Sequence, residues 1–473
     1  MRLASAVLFL PLLFSASAHA RESAPLQPVP GSAPTPKTRY LILCVDGVGY
    51  SLVEEMYHRG ELPHFQPPSA LVASFPSLTS PSLAEMLKPL GAPPSRGYED
   101  YYFDPKENRM RGGFFHRFTR KHFIRGTVRE LFDYHPHPVV MTLEYGLPVV
   151  GAWLGKRITF GRILKKFERS TKPVYLAYLD SSDPLAHLGG KRFLRGLLRQ
   201  IDRSIPRLRR RAAGPIEVIV FSDHGNDFRR YRRAPLARAL KRRGFRLRKN
   251  LPGPRSVVFP RYGLVSSAVL YTQPGGESEV ADALRGVEGV AVVAYRDGPG
   301  TVVESAAGRA RIWRRGSRYC YRPETGDPLA LGEILEQLHT RSGRAAEGCA
   351  SAAAWWQATQ EHIYPDPLRR LEFAFEENVA QPASVLVSLK DGYYVGSRLL
   401  DFFAWLRATH GNLGREQSLG FALTTAEPLP PFLRGDQLWT ALEGQWAPAR
   451  PPHHRPDSLL TLLWAGHSHL PPP

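Results

Sequence analysis

The stretch "RYLILCVDG", residues 39–47, is an apolar run that ends in Asp46 and Gly47. Continuous hydrophobicity, as opposed to alternation, is typical of a strand that is buried on both faces. Such strands belong to parallel sheets covered by helices, and an Asp-Gly pair favours a turn. The stretch therefore predicts a central strand of an α/β sheet, with a carboxylate at its carboxyl end.

Helix and strand patterns alternate after this first strand. Helical spacing is found in "YSLVEEMYHRG", "SPSLAEMLKPLG" and the basic segment "KRFLRGLLRQIDRSIPRLRRR". Three more strand patterns are interspersed: "SALVASFPS" (69–77), "PVYLAYLDSSD" (173–183) and "IEVIVFSDHGND" (216–227). The alternation predicts an α/β fold with a mostly parallel sheet, flanked by helices on both faces.

The pattern changes in the second half of the chain. Alternation with turn glycines over 295–325 predicts antiparallel hairpins, and helical segments follow them. We interpret residues 276–365 as an inserted α+β cap. The cap would separate the first part of the core (38–275) from its second part (366–450).

Both ends of the chain have their own composition. Residues 1–20 combine one Arg, an apolar stretch and a final Ala-His-Ala, which predicts a cleaved signal peptide. A Pro-rich linker (21–37) and a Pro/His-rich tail (451–473) are predicted around the folded part. The protein is therefore expected to be exported to a periplasmic or extracellular space.

Composition and charge limit the partners. The chain of 473 residues carries a net charge of +20, and its basic runs are either solvated helix faces or surfaces that attract anions, such as phosphate esters or an anionic lipid envelope. The runs match no zinc-finger or homeodomain motif, so specific nucleic-acid recognition is not expected. Among three cysteines, Cys44 lies in the buried strand, while the pairing of Cys320 with Cys349 is left open. The oligomeric state is also left open.

Several predicted strands end in potential metal ligands. Asp46 follows the first strand, "YLDSSDPLAH" contains Asp183 and His187, and "FSDHGND" contains Asp223 and His224. Any one of these could be a turn or cap residue. Because ligands bind at the carboxyl ends of strands in open α/β sheets, their joint occurrence indicates a metal site. Carboxylates and imidazoles without thiolates suit zinc, with manganese or iron as alternatives.

The stretch "SFPSLTSPS", Ser74 to Ser82, supplies hydroxyl groups but no base. A nucleophilic hydroxyl needs an activator, and a bound cation can fill that role. Thr79 follows a strand and precedes a predicted helix start, where backbone N–H groups can face an anion. Thr79 is therefore the candidate nucleophile of a two-metal site.

The ordered motifs resemble the alkaline phosphatase superfamily, in its branch of type I phosphodiesterases and nucleotide pyrophosphatases. The matching segments are "LILCVDGVG", "FPSLTSPS", "YLDSSDPLAHLGG", "VIVFSDHGN" and "ATHGNLGREQSLGFALTT" (408–425). The resemblance implies an alkaline-phosphatase-like core. It also implies two divalent ions, preferably zinc, one on Asp46, Thr79, Asp223 and His224 and the other on Asp183, His187 and His410.

The chain departs from that branch at one position. Ser82 stands where the branch usually has an Asn that donates to the phosphoryl oxygen, so Ser82 is the candidate substrate contact. A sulfatase pattern would need Cys or Ser at Thr79 and Arg at Leu83, which argues against that activity.

The resemblance implies an exported two-metal hydrolase of phosphodiester or pyrophosphate bonds, acting through a phospho-threonine on Thr79. One alternative is a phosphomonoesterase or an envelope phosphotransferase of the same superfamily. The other is a catalytically silent, basic envelope-binding protein, which would be free to lose the ligand set.

Overall fold

The computed structural model describes residues 38–113, 122–135, 137, 158–342, 348–376, 378–403 and 406–446. The predicted signal peptide, linker and tail lie outside the described residues, so export stays a prediction. Within the described residues, no helix combines the length and the apolar character that crossing a bilayer requires.

Strands and helices alternate through the first half, and strands dominate from about residue 246 to 326. The strands are β1 (Arg39–Val45), β2 (Ser69–Val72), β3 (Tyr101–Asp104), β4 (Arg109–Gly112), β5 (Val174–Leu179), β6 (Ile216–Ser222), β7 (Arg232–Arg233), β8 (Arg246–Arg248), β9 (Ser256–Val258), β10 (Leu264–Val265), β11 (Ser267–Thr272), β12 (Val290–Asp297), β13 (Gly300–Ser305), β14 (Gly308–Arg315), β15 (Arg318–Gly326), β16 (Cys349–Ser351), β17 (Val385–Leu389), β18 (Tyr393–Gly396), β19 (Leu419–Thr424) and β20 (Phe432–Arg434).

The helices at 50–58, 79–86 and 191–211 coincide with predicted segments, whereas those at 160–169 and 182–189 were not predicted. The α-helices are α1 (Tyr50–His58), α2 (Thr79–Met86), α3 (Phe160–Arg169), α4 (Ser182–Gly189), α5 (Lys191–Arg211), α6 (Leu236–Arg242), α7 (Glu277–Leu284), α8 (Gly332–Ser342), α9 (Ala352–Thr359), α10 (Pro367–Phe373), α11 (Arg398–Phe403), α12 (Arg415–Ser418) and α13 (Leu438–Trp446).

The main sheet has six strands in the order β20-β2-β19-β6-β1-β5. β1 pairs in parallel with both β5 and β6, and β2 pairs in parallel with β20. β19 runs antiparallel to its two neighbours, β2 and β6. The predicted α/β fold with a mostly parallel sheet is thus confirmed.

Both faces of this sheet are buried, as the unbroken apolar run of β1 predicted. Leu41 and Leu43 pack on one face with α1, α3 and α5, while Ile42 and Cys44 pack on the other with α2 and α13. Alternate side chains of one strand enter different cores because successive residues point to opposite faces of a sheet. The burial predicted for Cys44 is confirmed, and its thiol is free.

A second, nine-stranded sheet has the order β16-β15-β14-β13-β12-β17-β11-β9-β8. Its hairpins β12–β13–β14–β15 confirm the predicted antiparallel segment. The cap predicted for residues 276–365 does not have the same limits as this sheet. Three of the strands, β8, β9 and β11, come before residue 276, and β17 comes after residue 365. The second part of the core was predicted to begin at residue 366. Instead β17 pairs with β11 and β12, since non-local pairing is not encoded in a strand's own pattern.

Cys320 and Cys349 lie directly opposite each other on β15 and β16 and form a disulfide. This contact resolves the pairing that the sequence left open. The bridge fastens the edge strand β16 to the nine-stranded sheet.

Candidate active site

The direction of the strands places the ligand residues at one edge of the main sheet. β1, β5 and β6 run in parallel, so the residues that follow them share that edge. β19 runs the other way, and the segment before it therefore arrives at the same edge. His410 belongs to that segment, which gives a physical reason for its position that sequence spacing could not supply.

Cluster A consists of Asp46, Asp223 and His224, all buried, with ligand atoms within 4.8 Å of one another. Asp46 follows β1, and the other two follow β6. The Nε2 atom of His224 lies 3.5 Å from Asp46 Oδ1 and 3.5 Å from Asp223 Oδ2. Asp223 Oδ2 is buried and has no hydrogen-bond partner among the described residues. A buried carboxylate oxygen without a donor is costly unless a cation compensates it.

Cluster B consists of Asp183, His187 and His410. Asp183 and His187 are four residues apart on α4, so they share one helix face. His187 Nε2 lies 3.1 Å and His410 Nε2 lies 3.7 Å from Asp183 Oδ1. The rings of His410 and His224 stack with centroids 4.0 Å apart, so the two clusters adjoin.

All three histidines have the same hydrogen-bond arrangement. The Nδ1 atoms of His187, His224 and His410 lie 2.6, 3.0 and 3.0 Å from the carbonyl oxygens of Ala408, Gly225 and Ser77, respectively. If each Nδ1–H donates to its carbonyl, the neutral imidazoles of His224 and His410 have the Nε2 lone pair facing the carboxylates. His187 has the same orientation, but its Nε2 carries a proton while it is paired with Asp183. Metal-binding histidines typically use one nitrogen for the ion and the other for such a donor bond.

Thr79 is the first residue of α2, at the margin of cluster A. Its Oγ1 donates to Asp46 Oδ1 over 3.2 Å and lies 3.3 Å from His224 Nε2. The half-buried hydroxyl therefore touches two ligand atoms of cluster A at a helix start, where unpaired N–H groups favour an anion.

Gly47 lies between residues of the two clusters, where there is no space for a side chain. Its φ of +60° lies in the left-handed region, and an added Cβ would lie 2.8 Å from Asp183 Oδ1 and 2.9 Å from Asn226 Nδ2. Its N–H donates to Asp223 Oδ1 over 3.0 Å. The Asp-Gly turn after β1 is therefore needed both for its backbone conformation and for the space that a side chain would occupy.

The electrostatics of the clusters follow their composition. Burial, together with the charges of Asp223 and Asp183, raises the pKa of Asp46 well above its usual value, and burial raises the pKa of Asp223 to about 7. Burial also lowers the pKa of His224 to about 4 and that of His410 to about 3, which keeps both imidazoles neutral. Crowded carboxylates beside neutral imidazoles form a donor set that fits a divalent cation.

Asp183 behaves differently from the carboxylates of cluster A. Burial opposes its ionisation, but the adjacent His187 outweighs burial and holds the pKa of Asp183 below its usual value. Burial likewise disfavours the charged form of His187, yet Asp183 raises the pKa of that imidazole. Cluster B thus contains an internal ion pair, whereas cluster A contains two carboxylates that repel each other.

Ser82 is buried and its hydroxyl is in contact with another serine. Its side chain is fully buried, and its Oγ lies 3.2 Å from Ser74 Oγ. This hydroxyl therefore packs behind the Thr79 loop. The role of substrate contact stays a prediction, and the burial of Ser82 does not support it.

Sequence reasoning missed two residues that contact the ligands. The Tyr178 hydroxyl donates to Asp46 Oδ2, and Tyr178 lies on β5, directly beside β1. Asn226 donates to the Gly47 carbonyl, and its own buried Oδ1 lacks a hydrogen-bond partner among the described residues. Asn226 belongs to the "SDHGN" segment and could have been singled out from that motif, whereas Tyr178 looks like an ordinary core residue in sequence.

A recess open to solvent is lined by Ser80, the residue that follows Thr79. Its empty volume of about 290 Å³ includes part of the open solvent. The lining also contains Arg96, the carboxylates of Glu99 and Asp100, and the aromatic rings of Tyr102 and Phe123. The recess thus presents one cation, two carboxylates and aromatic surface one residue away from the candidate nucleophile.

No protein-family model and no curated protein matches the chain. Among solved structures, it is similar to human ectonucleotide pyrophosphatase/phosphodiesterase 5, with 13% identity and a TM-score of 0.46 over 88% of this chain and 96% of that chain. An inactive variant of the murine protein, in complex with AMP, gives 14% identity and a TM-score of 0.45 over 88% and 97%. Phosphonoacetate hydrolase from Sinorhizobium meliloti, in complex with phosphonoformate, gives 12% identity and a TM-score of 0.45 over 92% and 96%.

These neighbours are members of the alkaline phosphatase superfamily, the one that the sequence motifs resemble. The likeness to these structures concerns the fold, and the two clusters of this chain are where its chemistry is located.

Proposed function

We propose that the protein is an exported hydrolase of phosphoric esters that uses two divalent ions and Thr79 as its nucleophile. One observation carries the proposal: the Thr79 hydroxyl lies at a helix start, in contact with Asp46 and His224, beside a second cluster of ligand residues. A structural threonine at a helix start would not need two adjoining groups of buried carboxylates and imidazoles.

Cluster A would hold one ion and cluster B the other. Bound divalent ions would supply charge neutralisation of the phosphoryl group and a lower pKa for the Thr79 hydroxyl. The ligand set, rich in imidazole and free of thiolate, favours zinc over magnesium or calcium.

Thr79 would provide the covalent step. Its oxygen forms a bond to phosphorus and loses its proton, while the bond from phosphorus to the ester oxygen of the leaving group breaks and that oxygen takes up a proton from solvent. Water then displaces the Thr79 oxygen, releases the phosphoryl product and restores the hydroxyl. The backbone N–H groups of Thr79 and Ser80 at the start of α2 could donate to the phosphoryl oxygens.

The recess beside Ser80 supports a diester or pyrophosphate substrate. Its lining includes Ser80, the residue next to Thr79, so a second substituent on the phosphorus could enter it from the solvent side. Arg96 favours a second candidate, a phosphomonoesterase, because a cation there could bind a free phosphate oxygen, whereas Glu99 and Asp100 in the same lining disfavour an anion. The same charge could also serve a pyrophosphate.

Substrate panels on purified protein test the proposal. Chromogenic diesters, a dinucleoside pyrophosphate, a monoester and a sulfate ester would be assayed before and after removal of metal by a chelator. We expect hydrolysis of a phosphoric ester that is lost on metal removal and returns with zinc. Activity on no phosphoric ester at any metal loading, by protein with intact secondary structure, would contradict it.

A further inference from the structure

The serine-rich stretch that precedes Thr79 is built around a buried arginine. Arg370, on α10, is only 2% exposed and lies behind the Thr79 loop. Its Nη2 donates to Ser77 Oγ over 3.0 Å and to the Ser74 carbonyl over 3.3 Å. The serine-rich stretch therefore does more than lead to Thr79: its hydroxyl and carbonyl groups accept hydrogen bonds from the buried guanidinium of Arg370.

The same guanidinium also reaches the segment that carries His410. Nη2 donates to Ser418 Oγ over 2.7 Å, and Nη1 donates to the Leu413 carbonyl over 3.2 Å. A further bond goes to the Pro365 carbonyl. Arg370 thus bridges the Thr79 loop and the 410–418 segment, which are more than 300 residues apart in sequence.

Ser77 connects this bridge directly to cluster B. Its carbonyl accepts the hydrogen bond from His410 Nδ1 that orients the imidazole, over 3.0 Å. Its own N–H donates to the Gly411 carbonyl over 3.2 Å. A movement of Ser77 would therefore displace the orienting partner of His410 and, two residues away, Thr79.

The contacts of Arg370 differ from those of an ordinary structural arginine. In the described part of the chain, its hydrogen bonds all go to neutral oxygens: three carbonyls and two hydroxyls. Its neighbour Arg369 is instead paired with Glu85 over 2.6 Å and with Asp436 over 2.7 Å. A buried charge held only by neutral acceptors is costly in free energy. We therefore ascribe the role of Arg370 to the two loops whose acceptors it binds, since its guanidinium holds them in a fixed arrangement.

We propose that Arg370 is a positioning residue that couples the nucleophile loop to the loop of cluster B, and so sets the distance between Thr79 and His410. The effect on turnover rests on the proposed function, whereas the coupling of the two loops does not. Arg370 touches neither substrate nor ion in this account. It acts through Ser77 and Ser418.

The experiment compares Arg370→Lys with Arg369→Lys. Lysine keeps the charge, but its single ammonium cannot reproduce the planar fork that reaches both loops. Hydrogen exchange followed by mass spectrometry on metal-free protein should show residues 74–82 and 410–418 exchanging on the order of tenfold faster in Arg370→Lys. Arg369→Lys, from the same helix, should leave both segments as they are in the wild type.

Two further readouts separate positioning from mere stability. Zinc competition with a chromophoric chelator should show about tenfold weaker binding of one ion, the ion of cluster B, with the other changed by less than about twofold. The kcat of Arg370→Lys should fall roughly 30-fold while KM stays within about threefold, because misplacement of reacting groups lowers turnover more than binding.

A double variant, Ser77→Ala with Ser418→Ala, guards against a failure of Arg370→Lys to fold. It keeps Arg370 and removes its two hydroxyl acceptors, and the same pattern of exchange and zinc binding is expected. Unchanged exchange of both segments in whichever of the two variants folds would overturn the proposal. The proposal would also be overturned if hydrogen exchange of the two segments were accelerated equally in Arg369→Lys. If the wild type hydrolyses no phosphoric ester, the proposed function fails, but the exchange comparison still decides the coupling.

Discussion

Cluster A and cluster B lie side by side, yet their charges are arranged in opposite ways. Cluster A combines two carboxylates with one neutral imidazole. Burial raises the pKa values of both carboxyl groups, and the charge of Asp223 raises the pKa of Asp46 further. Cluster B has one carboxylate and two imidazoles, and its Asp183 is stabilised by His187. Without a cation, cluster A is under electrostatic stress and cluster B is largely satisfied. We therefore expect cluster A to bind its ion more tightly.

The largest effect is expected at Thr79, which touches cluster A. Thr79→Ala should lower kcat by a factor of about 10³ or more, because the covalent route loses its first step. Two zinc ions should still bind, since the carboxylates and imidazoles of both clusters remain. Steady-state kinetics and elemental analysis check both points.

Ser80→Ala is the matched control for Thr79→Ala, since it removes the adjacent hydroxyl. Its kcat should fall far less than that of Thr79→Ala, because the loss of a hydroxyl that lines the recess changes substrate contacts and leaves the attacking group in place. Equal losses in the two variants would show that the hydroxyl of Thr79 has no special part in the chemistry.

Removal of one ligand from each cluster tests the asymmetry. Asp223→Ala should weaken the tighter zinc ion, and His410→Ala the weaker one, each by roughly 100-fold, because every site keeps only part of its ligand set. Competition titrations that resolve two binding events would measure this. If both variants weakened the same ion, the assignment of residues to two separate sites would be wrong.

The fold was predictable from the sequence where burial was encoded locally. The unbroken apolar run of β1 gave a strand buried on both faces, and Asp46, Asp223 and His224 follow from the shared edge of parallel strands. His410 did not follow, since its position depends on the reversed direction of β19, which is set by pairing with β2 and β6. The extent of the nine-stranded sheet was missed for the same reason.

The hydrogen bonds between side chains around the site were also not predictable from the sequence. Arg370 is one arginine among many in a basic chain, and only tertiary contacts show that its guanidinium binds the serines before Thr79. Ser82 shows the reverse case: its position in the motif indicated a substrate contact, but the helix places its hydroxyl against Ser74.

The pH dependence of stability should have opposite signs in the two clusters of the metal-free protein. Asp223 has a raised pKa of about 7, so its favourable protonation is complete below pH 4 and is lost as pH rises towards 7. Asp183 has a lowered pKa, so its contribution is present above pH 4 and is lost on acidification.

Urea denaturation of chelator-treated protein at pH 8 can separate these contributions. Asp223→Asn should raise the free energy of unfolding and Asp183→Asn should lower it, each by on the order of 2 kcal/mol. The same direction of change in both variants would remove the electrostatic distinction between the clusters.

The smallest effect is expected at Ser82, which is buried. Ser82→Ala loses the hydrogen bond with Ser74 and should lower the free energy of unfolding by about 1 kcal/mol. Because the Ser82 hydroxyl is buried against Ser74, kcat should stay within about threefold, a modest change on the free-energy scale. A loss of kcat comparable with that of Thr79→Ala would restore Ser82 as a substrate contact.

Anomalous diffraction from crystals grown with zinc tests the two-cluster account most directly. The account predicts two separate zinc peaks, one among Asp46, Asp223 and His224 and the other among Asp183, His187 and His410, with Thr79 Oγ1 facing the first. At limiting zinc, the peak in cluster A should fill before the peak in cluster B. Zinc bound elsewhere, or no peak in either cluster at saturating zinc, would contradict the account.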